Sequence, residues 1–295
     1  MYVRLQKIKI GVLVLLALFS ALVWYAVWQE TQRELVIAFL NVGQGDAIYI
    51  EAPNGNQMLI DGGKGREVLR ELGSVMPLYD RSIDVVLATH PDADHIGGLI
   101  PVFESYTVGA FVDSGNAHQT TVTESLSRAI TEEKSVRVIA RRGMRIRLSH
   151  GAIFTVLYPD REVTNAESNE ASIVGRLAYG TTTILLTGDA PISTERVLMM
   201  NDGASLKSTV LKLGHHGSRT SSLPGFLSLV QPELAVISVG EGNRYGHPHA
   251  EVLAHLAQEN IRVFRTDVMG RIIFSSDGNR FNVRAEKELS NASLP

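Results

Sequence analysis

The stretch that decides the fold of this chain is His90-Pro91-Asp92-Ala93-Asp94-His95-Ile96-Gly97-Gly98. It places two imidazoles and two carboxylates within six consecutive residues, directly after a mainly apolar run from Ile83 to Ala88. Borderline divalent cations take nitrogen and oxygen ligands together, whereas a hydrophobic core does not need so many ionisable groups. A buried strand that ends in such a loop, and continues through two glycines into a helix, predicts a metal site rather than a solvated loop.

The bulk composition is that of an ordinary globular protein. Of 295 residues, 44% are hydrophobic and 20% are charged, which permits one large domain or two small ones. The net charge of −3 provides no overall basic field for collecting nucleic acid, so binding of a polyanion must come from local patches or from metals. The lack of cysteine in the sequence excludes disulfides, thiolate zinc sites and cysteine nucleophiles.

The N-terminal segment differs from the rest of the chain. Residues 10–28 are almost wholly apolar, about the length that crosses the hydrocarbon core of a bilayer. Trp24, Tyr25 and Trp28 lie at its far end, where amphipathic rings favour the membrane interface. We expect a single-pass anchor at residues 10–28, with residues 1–9 cytoplasmic and the body outside the membrane. The alternative is a cleaved signal peptide and a secreted protein, although signal peptides usually end at small residues.

The rest of the chain alternates between predicted strands and helices. Strands come first as hairpins, from Leu35 to Ile60, and then between helices, without a repeat or a break in composition. This order predicts one α/β domain over residues 34–285, with two sheets and helices outside them. We expect residues 286–295 to form a polar tail.

Metal-competent side chains follow four of the predicted strands. They are Asp61, the cluster from His90 to His95, Asp189 and the pair His215-His216. Each alone is weak evidence, because a single aspartate after a strand is more often a turn or cap residue. Loops at strand ends are also where ligands gather. Together the four segments predict a centre that holds two metals.

These segments resemble the metallo-β-lactamase superfamily, and most of all the C-terminal hydrolase domain of the DNA-internalisation competence protein ComEC. Besides the cluster, the resemblance is carried by FLNVGQGDA at 39–47, LIDGG at 59–63, LTGD at 186–189 and LKLGHHGS at 211–218. It covers nearly all of residues 35–285. It implies a four-layer αβ/βα sandwich that holds two divalent metal ions at one edge, either zinc or manganese, with magnesium as a further candidate.

The resemblance also implies a role for each residue. The first metal would be held by His90 and Asp92, and the second by Asp94, His95 and His215. Asp189 would bridge the two metals, and Asp61 would orient the cluster loop from behind. His216 is the alternative to His215, because the sequence does not separate the two neighbours. Asp94 would also carry a proton during turnover.

The chain departs from the broad superfamily pattern in two places. Asp92 stands where the general pattern has histidine, and no histidine between the cluster and Asp189 lies in a matching context. Asn169 occupies that stretch, as in the competence subfamily, and is either a weak oxygen ligand of the first metal or a turn residue. An oxygen-rich first site moves the preference from zinc towards manganese or magnesium.

Further candidates lie outside the implied ligand set. The segment from Asn243 to His249 also resembles the competence subfamily, and His247 is expected to donate to a phosphate oxygen or to the leaving group. His249, Lys212 and Ser218 are candidate substrate-binding residues. For Lys212 and Ser218 a structural role is at least an equal alternative, and for His249 a role as a helix cap or a surface residue is favoured.

Two cations about 3.5–4 Å apart ionise water and stabilise a leaving oxygen, which suits phosphodiesters. We therefore expect a metal-dependent hydrolase, acting as a nuclease on single-stranded DNA during DNA uptake, with a channel protein as a candidate partner. One alternative is a small-molecule phosphodiesterase or esterase, for substrates such as phosphorylcholine esters or lactones. Another is a degenerate domain that binds DNA or a partner without catalysis. The sequence does not indicate an oligomeric state.

Overall fold

The computed structural model describes residues 2–31 and 33–287, so most of the predicted polar tail, residues 288–295, lies outside the described residues. The strands, in chain order, are β1 (Leu35–Phe39), β2 (Ile48–Glu51), β3 (Gln57–Ile60), β4 (Ser82–Ala88), β5 (Thr107–Asp113), β6 (Val136–Ile139), β7 (Arg145–Arg147), β8 (Ala152–Tyr158), β9 (Val174–Tyr179), β10 (Thr182–Leu186), β11 (Val210–Lys212), β12 (Leu234–Ile237), β13 (Arg262–Arg265), β14 (Ile272–Ser276) and β15 (Phe281–Ala285). The helices are α1 (Tyr2–Thr31), α2 (Glu67–Val75), α3 (Ala93–Ile96), α4 (Leu99–Ser105), α5 (Thr121–Glu133), α6 (Ile192–Asp202), α7 (Pro224–Val230), α8 (Ala250–Gln258) and α9 (Thr266–Met269).

The strands form two mixed sheets. The first has the order β15-β14-β1-β2-β3-β4-β5-β6, and the second has the order β13-β12-β11-β10-β9-β8-β7. Strands β3 to β6 run parallel to one another in the first sheet, as do β10 to β13 in the second. The carboxyl ends of each parallel set therefore lie at one edge of its sheet, which is where the polar loops begin.

Three hydrophobic cores separate four layers. The first core lies between the sheets and includes Phe39 and Phe154. The second packs the first sheet against α2, α4 and α5, with Leu72 and Leu126 among its members. The third packs the second sheet against α6, α7 and α8 around Phe226. The predicted α/β fold with two sheets is confirmed, and its layers run helix, sheet, sheet, helix.

The burial pattern of each strand follows its position in the sheet. All five residues of the central strand β10 are buried, as expected for a strand covered on both faces. Strand β8 instead alternates between buried and half-buried side chains. The edge strands β6 and β15 bury none of their side chains fully. Core-forming side chains thus concentrate in the central strands, and these are the strands whose ends carry the polar loops.

Helix α1 covers the segment predicted as a membrane anchor. Its large apolar side chains, among them Leu13, Leu15 and Trp24, are exposed. Counting only the residues that the structure describes, no helix is both long enough and apolar enough to cross a membrane. The structure therefore supports a helix at residues 10–28 but does not support the predicted span.

Candidate metal centre

The loops that follow β3, β4, β10 and β11 meet at one edge of the sandwich. Backbone hydrogen bonds join them: the N–H of Asp61 donates to the carbonyl of Leu87 at 2.8 Å, and the N–H of Gly62 donates to the carbonyl of His95 at 2.7 Å. The N–H of His215 reaches the carbonyl of Gly188 at 3.4 Å. The four predicted ligand segments, which are distant in sequence, are therefore neighbours in the fold.

Three buried histidine rings form the middle of this cluster. The ring centroids of His90 and His95 are 4.1 Å apart, and those of His95 and His216 are 5.3 Å apart. The Nδ1 atom of each ring is hydrogen-bonded to an oxygen. His90 Nδ1 lies 3.0 Å from Thr89 Oγ1, and His95 Nδ1 lies 2.8 Å from Asp61 Oδ2. His216 Nδ1 lies 2.8 Å from the carbonyl oxygen of Ser238.

The three Nε2 atoms are buried and have no hydrogen-bond partner among the described residues. A histidine whose Nδ1–H is donated to an oxygen presents its Nε2 lone pair on the other side of the ring, which is the arrangement of a metal ligand. Because buried polar atoms are normally satisfied, three unsatisfied nitrogens in one cluster fit a divalent cation.

Two carboxylates complete the cluster. Asp189 Oδ2 lies 3.4 Å from Nε2 of both His95 and His216, which is the position expected of a carboxylate shared by two metals. Asp94 Oδ2 lies 3.7 Å from His216 Nε2. Two of the groups whose ligand atoms lie within 4.8 Å of one another are His90, His95 and Asp189, and Asp94, His95 and His216. His95 belongs to both groups, so they are adjacent rather than separate.

Asp92 and Asn169 lie at the His90 side of the cluster. Asp92 Oδ2 is 3.6 Å from His90 Nε2, and its Oδ1 accepts a hydrogen bond from Ser168 Oγ at 2.5 Å. Asn169 follows Ser168, and its buried Oδ1 has no hydrogen-bond partner among the residues described. An oxygen without a local partner is compatible with the ligand role of Asn169, which stays a prediction beside the turn role.

The two neighbouring histidines of the turn Gly214–Gly217 point in different directions. Both have left-handed backbone angles, with φ of 47° at His215 and 54° at His216. His216 faces the cluster, whereas His215 is half-exposed, with its Nδ1 3.0 Å from Thr220 Oγ1 and its ring edge-on to His247. No candidate ligand group among the described residues includes His215. The structure therefore favours His216, the alternative, over His215.

A buried ion pair beneath the cluster was not anticipated from the sequence. Lys212 Nζ contacts the carboxylate of Asp46, donates to the carbonyl of Gly188 at 2.7 Å, and lies 3.7 Å from Asp189 Oδ1. Lys212 has no exposed surface, so the predicted contact with substrate is corrected to a structural contact with Asp46. The feature of the sequence that points to Asp46 is the preceding Gly45. Its φ of +118° and its lack of a side chain let the turn that carries Asp46 lie against the backbone of Asp94.

The remaining candidates lie between the cluster and solvent. Ser218 is buried, and its Oγ accepts hydrogen bonds from the N–H and the hydroxyl of Thr220, so a substrate role is not supported. His247 has a buried Nδ1 without a hydrogen-bond partner in the described chain, and its ring centroid is 5.4 Å from that of His215. His249 precedes α8, and its Nδ1 accepts from the N–H of Arg219 at 3.2 Å.

Charges within the cluster compensate for its burial. Burial alone would raise the pKa of Asp189, but His216 and His95 outweigh it and hold this pKa well below its usual value. Burial would lower the pKa of His95, but Asp189 and Asp61 hold it well above its usual value. His95 of the metal-free protein therefore carries a proton, which a metal must displace, so metal binding weakens as pH falls. The nitrogen and oxygen donor set suits zinc, manganese or magnesium.

A cavity of about 650 Å³ opens beside the cluster loop. His90 and Pro91 are among its lining residues, and Phe111 and Leu126 contribute apolar surface. Because it adjoins the cluster at His90, it offers room for part of a substrate next to the metal centre.

Comparison with known families agrees with this geometry. A family model described as the metallo-beta-lactamase superfamily matches residues 40–241. ComE operon protein 3 of Bacillus subtilis is 32% identical over 253 residues, which cover 80% of this chain and 32% of that protein. Competence protein ComA of Neisseria gonorrhoeae is 29% identical over 273 residues, 92% of this chain and 36% of that protein. The chain thus spans about a third of the length of these curated relatives.

Solved structures share the fold at low sequence identity. CmlA, a diiron beta-hydroxylase from Streptomyces venezuelae, has a TM-score of 0.54 at 12% identity, covering 83% of this chain and 54% of that one. Identity at this level shows the fold alone. The predicted resemblance to ComEC-type competence proteins is confirmed by the sequence relatives. Since the family match covers more than half of the chain, this protein belongs to the metallo-β-lactamase superfamily, whose members are typically metal-dependent hydrolases.

Proposed function

We propose that this chain is a hydrolase of phosphodiesters that uses two divalent metals and acts on single-stranded DNA. The observation that carries the proposal is the set of unpartnered Nε2 atoms on His90, His95 and His216, which converge around the Asp189 carboxylate. The names of the relatives, which include a competence protein, support DNA as the substrate.

The proposed ligands divide between two metals. His90, Asp92 and Asn169 would hold the first, Asp94, His95 and His216 the second, and Asp189 both. When bound, such a pair of cations lowers the pKa of water and stabilises a leaving oxygen. Asp61 contributes by fixing the ring of His95, because their hydrogen bond sets which nitrogen of that ring is free.

Two side chains are placed to handle substrate and protons. The Asp94 side chain is 29% exposed, and although burial raises its pKa, the neighbouring imidazoles of His216 and His95 hold this pKa low. It is therefore ionised at neutral pH and can orient the attacking water. Burial, together with repulsion from His215 and His216, lowers the pKa of His247 to about 4. His247 is thus neutral at pH 7 and would position a phosphate oxygen through an N–H rather than serve as an acid.

The test is a matrix of metals and substrates on the full chain. Zinc, manganese and magnesium are each combined with single-stranded DNA, duplex DNA and bis(p-nitrophenyl) phosphate. The proposal expects cleavage of the single strand, best with manganese, and its loss in Asp189→Asn. Asp84→Asn is the matched control, because Asp84 lies on β4 away from the cluster and accepts a bond from the N–H of Gln57. If single-stranded DNA stays intact with every metal, the protein is not a nuclease and the proposal fails.

A small phosphodiester or ester is a second candidate substrate. The cavity of about 650 Å³ beside His90 has the size of a small-molecule site, and the net charge of −3 does not favour a polyanion. Salt separates the two candidates. Cleavage of a polyanion weakens steeply as salt rises, because salt cations compete with the cationic groups of the protein for the phosphates, whereas cleavage of a small ester changes little.

A further inference from the structure

A row of aromatic rings leads from solvent to the metal centre along the loop between β12 and α8. Tyr245 is 51% exposed, and its ring stacks with that of His247 at a centroid distance of 5.7 Å and an interplanar angle of 23°. The ring of His247 lies 6.4 Å from that of the buried His216. Tyr245 is therefore two ring contacts from the cluster, which places it within a few nucleotides of a phosphate bound there.

Two arginines flank this row. Arg244 Cζ lies 5.1 Å from the Tyr245 ring centroid, and its Nη2 donates to the Tyr245 hydroxyl at 3.0 Å. Arg219 Nη2 lies 3.3 Å from His249 Nε2, and its Nε lies 3.6 Å from a carboxylate oxygen of Glu251. Both side chains of that ion pair are more than half exposed, so it is weak and can exchange for another anion.

Arg219 is linked to the row through His249, whose ring centroid lies 4.9 Å from that of His247. An exposed aromatic ring with guanidinium groups nearby matches the chemistry of a single-stranded polynucleotide. Unpaired bases stack on aromatic side chains, and arginines bind the phosphates on either side. A protein with a net charge of −3 needs such a local cationic patch to hold a polyanion at all. The rings of His247 and His215 continue the row inward, so a strand lying on Tyr245 is directed to the cluster.

We propose that Tyr245, Arg244 and Arg219 form a strand platform, a binding surface for single-stranded nucleic acid beside the metal centre. The proposal rests on the proposed nuclease function and identifies the surface that holds the strand during cleavage. A base stacks on Tyr245 in place of the Arg244 guanidinium, which then turns to a phosphate. The exchange is easy because the cation–π contact is exposed and contributes little.

The experiment measures binding of fluorescent oligothymidine by the full chain in EDTA, so that binding is read without cleavage. Tyr245→Ala should weaken binding about 5- to 100-fold, the range for loss of one stacked base, whereas Tyr245→Phe should stay within about twofold. Arg244→Ala should reduce the slope of log affinity against log salt by about 0.7, the value for one phosphate contact on a single strand.

Matched controls are Tyr79→Ala and Arg262→Ala, which should bind like the wild type. Tyr79 is exposed at the opposite end of β4, and Arg262 makes a cation–π contact with Phe264 at the start of β13. Wild-type binding in Tyr245→Ala and Arg244→Ala, or no binding by the wild type at low salt, would overturn the platform. Cleavage of single strands in that case leaves the nuclease proposal standing. If binding depends on Tyr245 but no strand is cleaved, the platform stands and the nuclease proposal fails.

Discussion

Replacing Asp61 with asparagine should weaken metal binding without changing any ligand. Asp61 is fully buried and accepts three hydrogen bonds: from the N–H of Thr89 at 2.8 Å, from its hydroxyl at 2.6 Å, and from His95 Nδ1 at 2.8 Å. Its φ of 57° lies in the left-handed region, which asparagine tolerates, so Asp61→Asn adds no backbone strain.

The expected effect follows from the hydrogen on His95. With a carboxylate at position 61, Nδ1 keeps its hydrogen, so the proton that a metal displaces from His95 is the one on Nε2. An amide at that position turns its NH₂ towards His95, so Nδ1 becomes the acceptor and the hydrogen moves to Nε2, which faces Asp189 at 3.4 Å. That nitrogen then has no lone pair for a metal. Loss of such a supporting contact costs about 10- to 100-fold in metal affinity, which is about 1.4–2.8 kcal/mol.

The assay is competition for zinc and manganese between the protein and a chromogenic chelator. The free energy of unfolding in EDTA is measured alongside, and it should fall by about 1–3 kcal/mol, because the bond between Asp61 and protonated His95 is charge-assisted. Asp84→Asn is the control for the same substitution at an exposed carboxylate on β4, away from the cluster. Metal affinity within twofold of wild type in a folded Asp61→Asn protein would refute the reasoning.

Four further changes test other contacts. His216→Ala should lower metal affinity at least about 10-fold, while His215→Ala should stay within about threefold, as read by the same competition assay. Lys212→Met should lower the free energy of unfolding by about 3–5 kcal/mol in urea titrations, because Asp46 is left buried without its cation, and adding Asp46→Asn should recover part of the loss. Saturating metal at about 100 times its Kd should add about 2.7 kcal/mol of stability, so that EDTA lowers the Tm in calorimetry. Burial raises the pKa of Glu195 to about 7, outweighing two backbone N–H donors. A carboxyl with a raised pKa stabilises the fold when protonated, so its contribution is complete below the unfolded pKa near 4.5 and is lost as pH rises through 7. Relative to Glu195→Gln, the wild type should therefore lose about 3 kcal/mol between pH 4.5 and pH 8, and a constant difference across that range would show that Glu195 does not titrate there.

The sequence predicts best those strands whose side chains are buried in a regular pattern along the chain. Strands such as β3 and β10 read as continuous apolar runs because both of their faces are covered. Three strands that the sequence does not mark clearly, β6, β13 and β15, all lie at sheet edges. Apart from the buried Phe264 of β13, their side chains are partly or wholly exposed, so they have no clear apolar period to detect.

The candidate site divides in a similar way. Residue types and their order along the chain predict that His90, His95 and Asp189 converge, since ligands at the ends of parallel strands share an edge. The directions of the two histidine rings in the Gly214–Gly217 turn could not be predicted. They depend on two consecutive residues with left-handed backbone angles, which nothing in the sequence marks. The sequence also does not predict that Lys212 is buried against Asp46, since a lysine at a strand end is ordinarily exposed.

The most direct test of the account is anomalous diffraction from crystals of the full chain soaked in manganese or zinc. The account predicts two peaks about 3.5–4 Å apart, both within coordination distance of Asp189, with one beside His90 and the other beside His216. Peaks at other places on the surface, or none in this cluster at saturating metal, would contradict it.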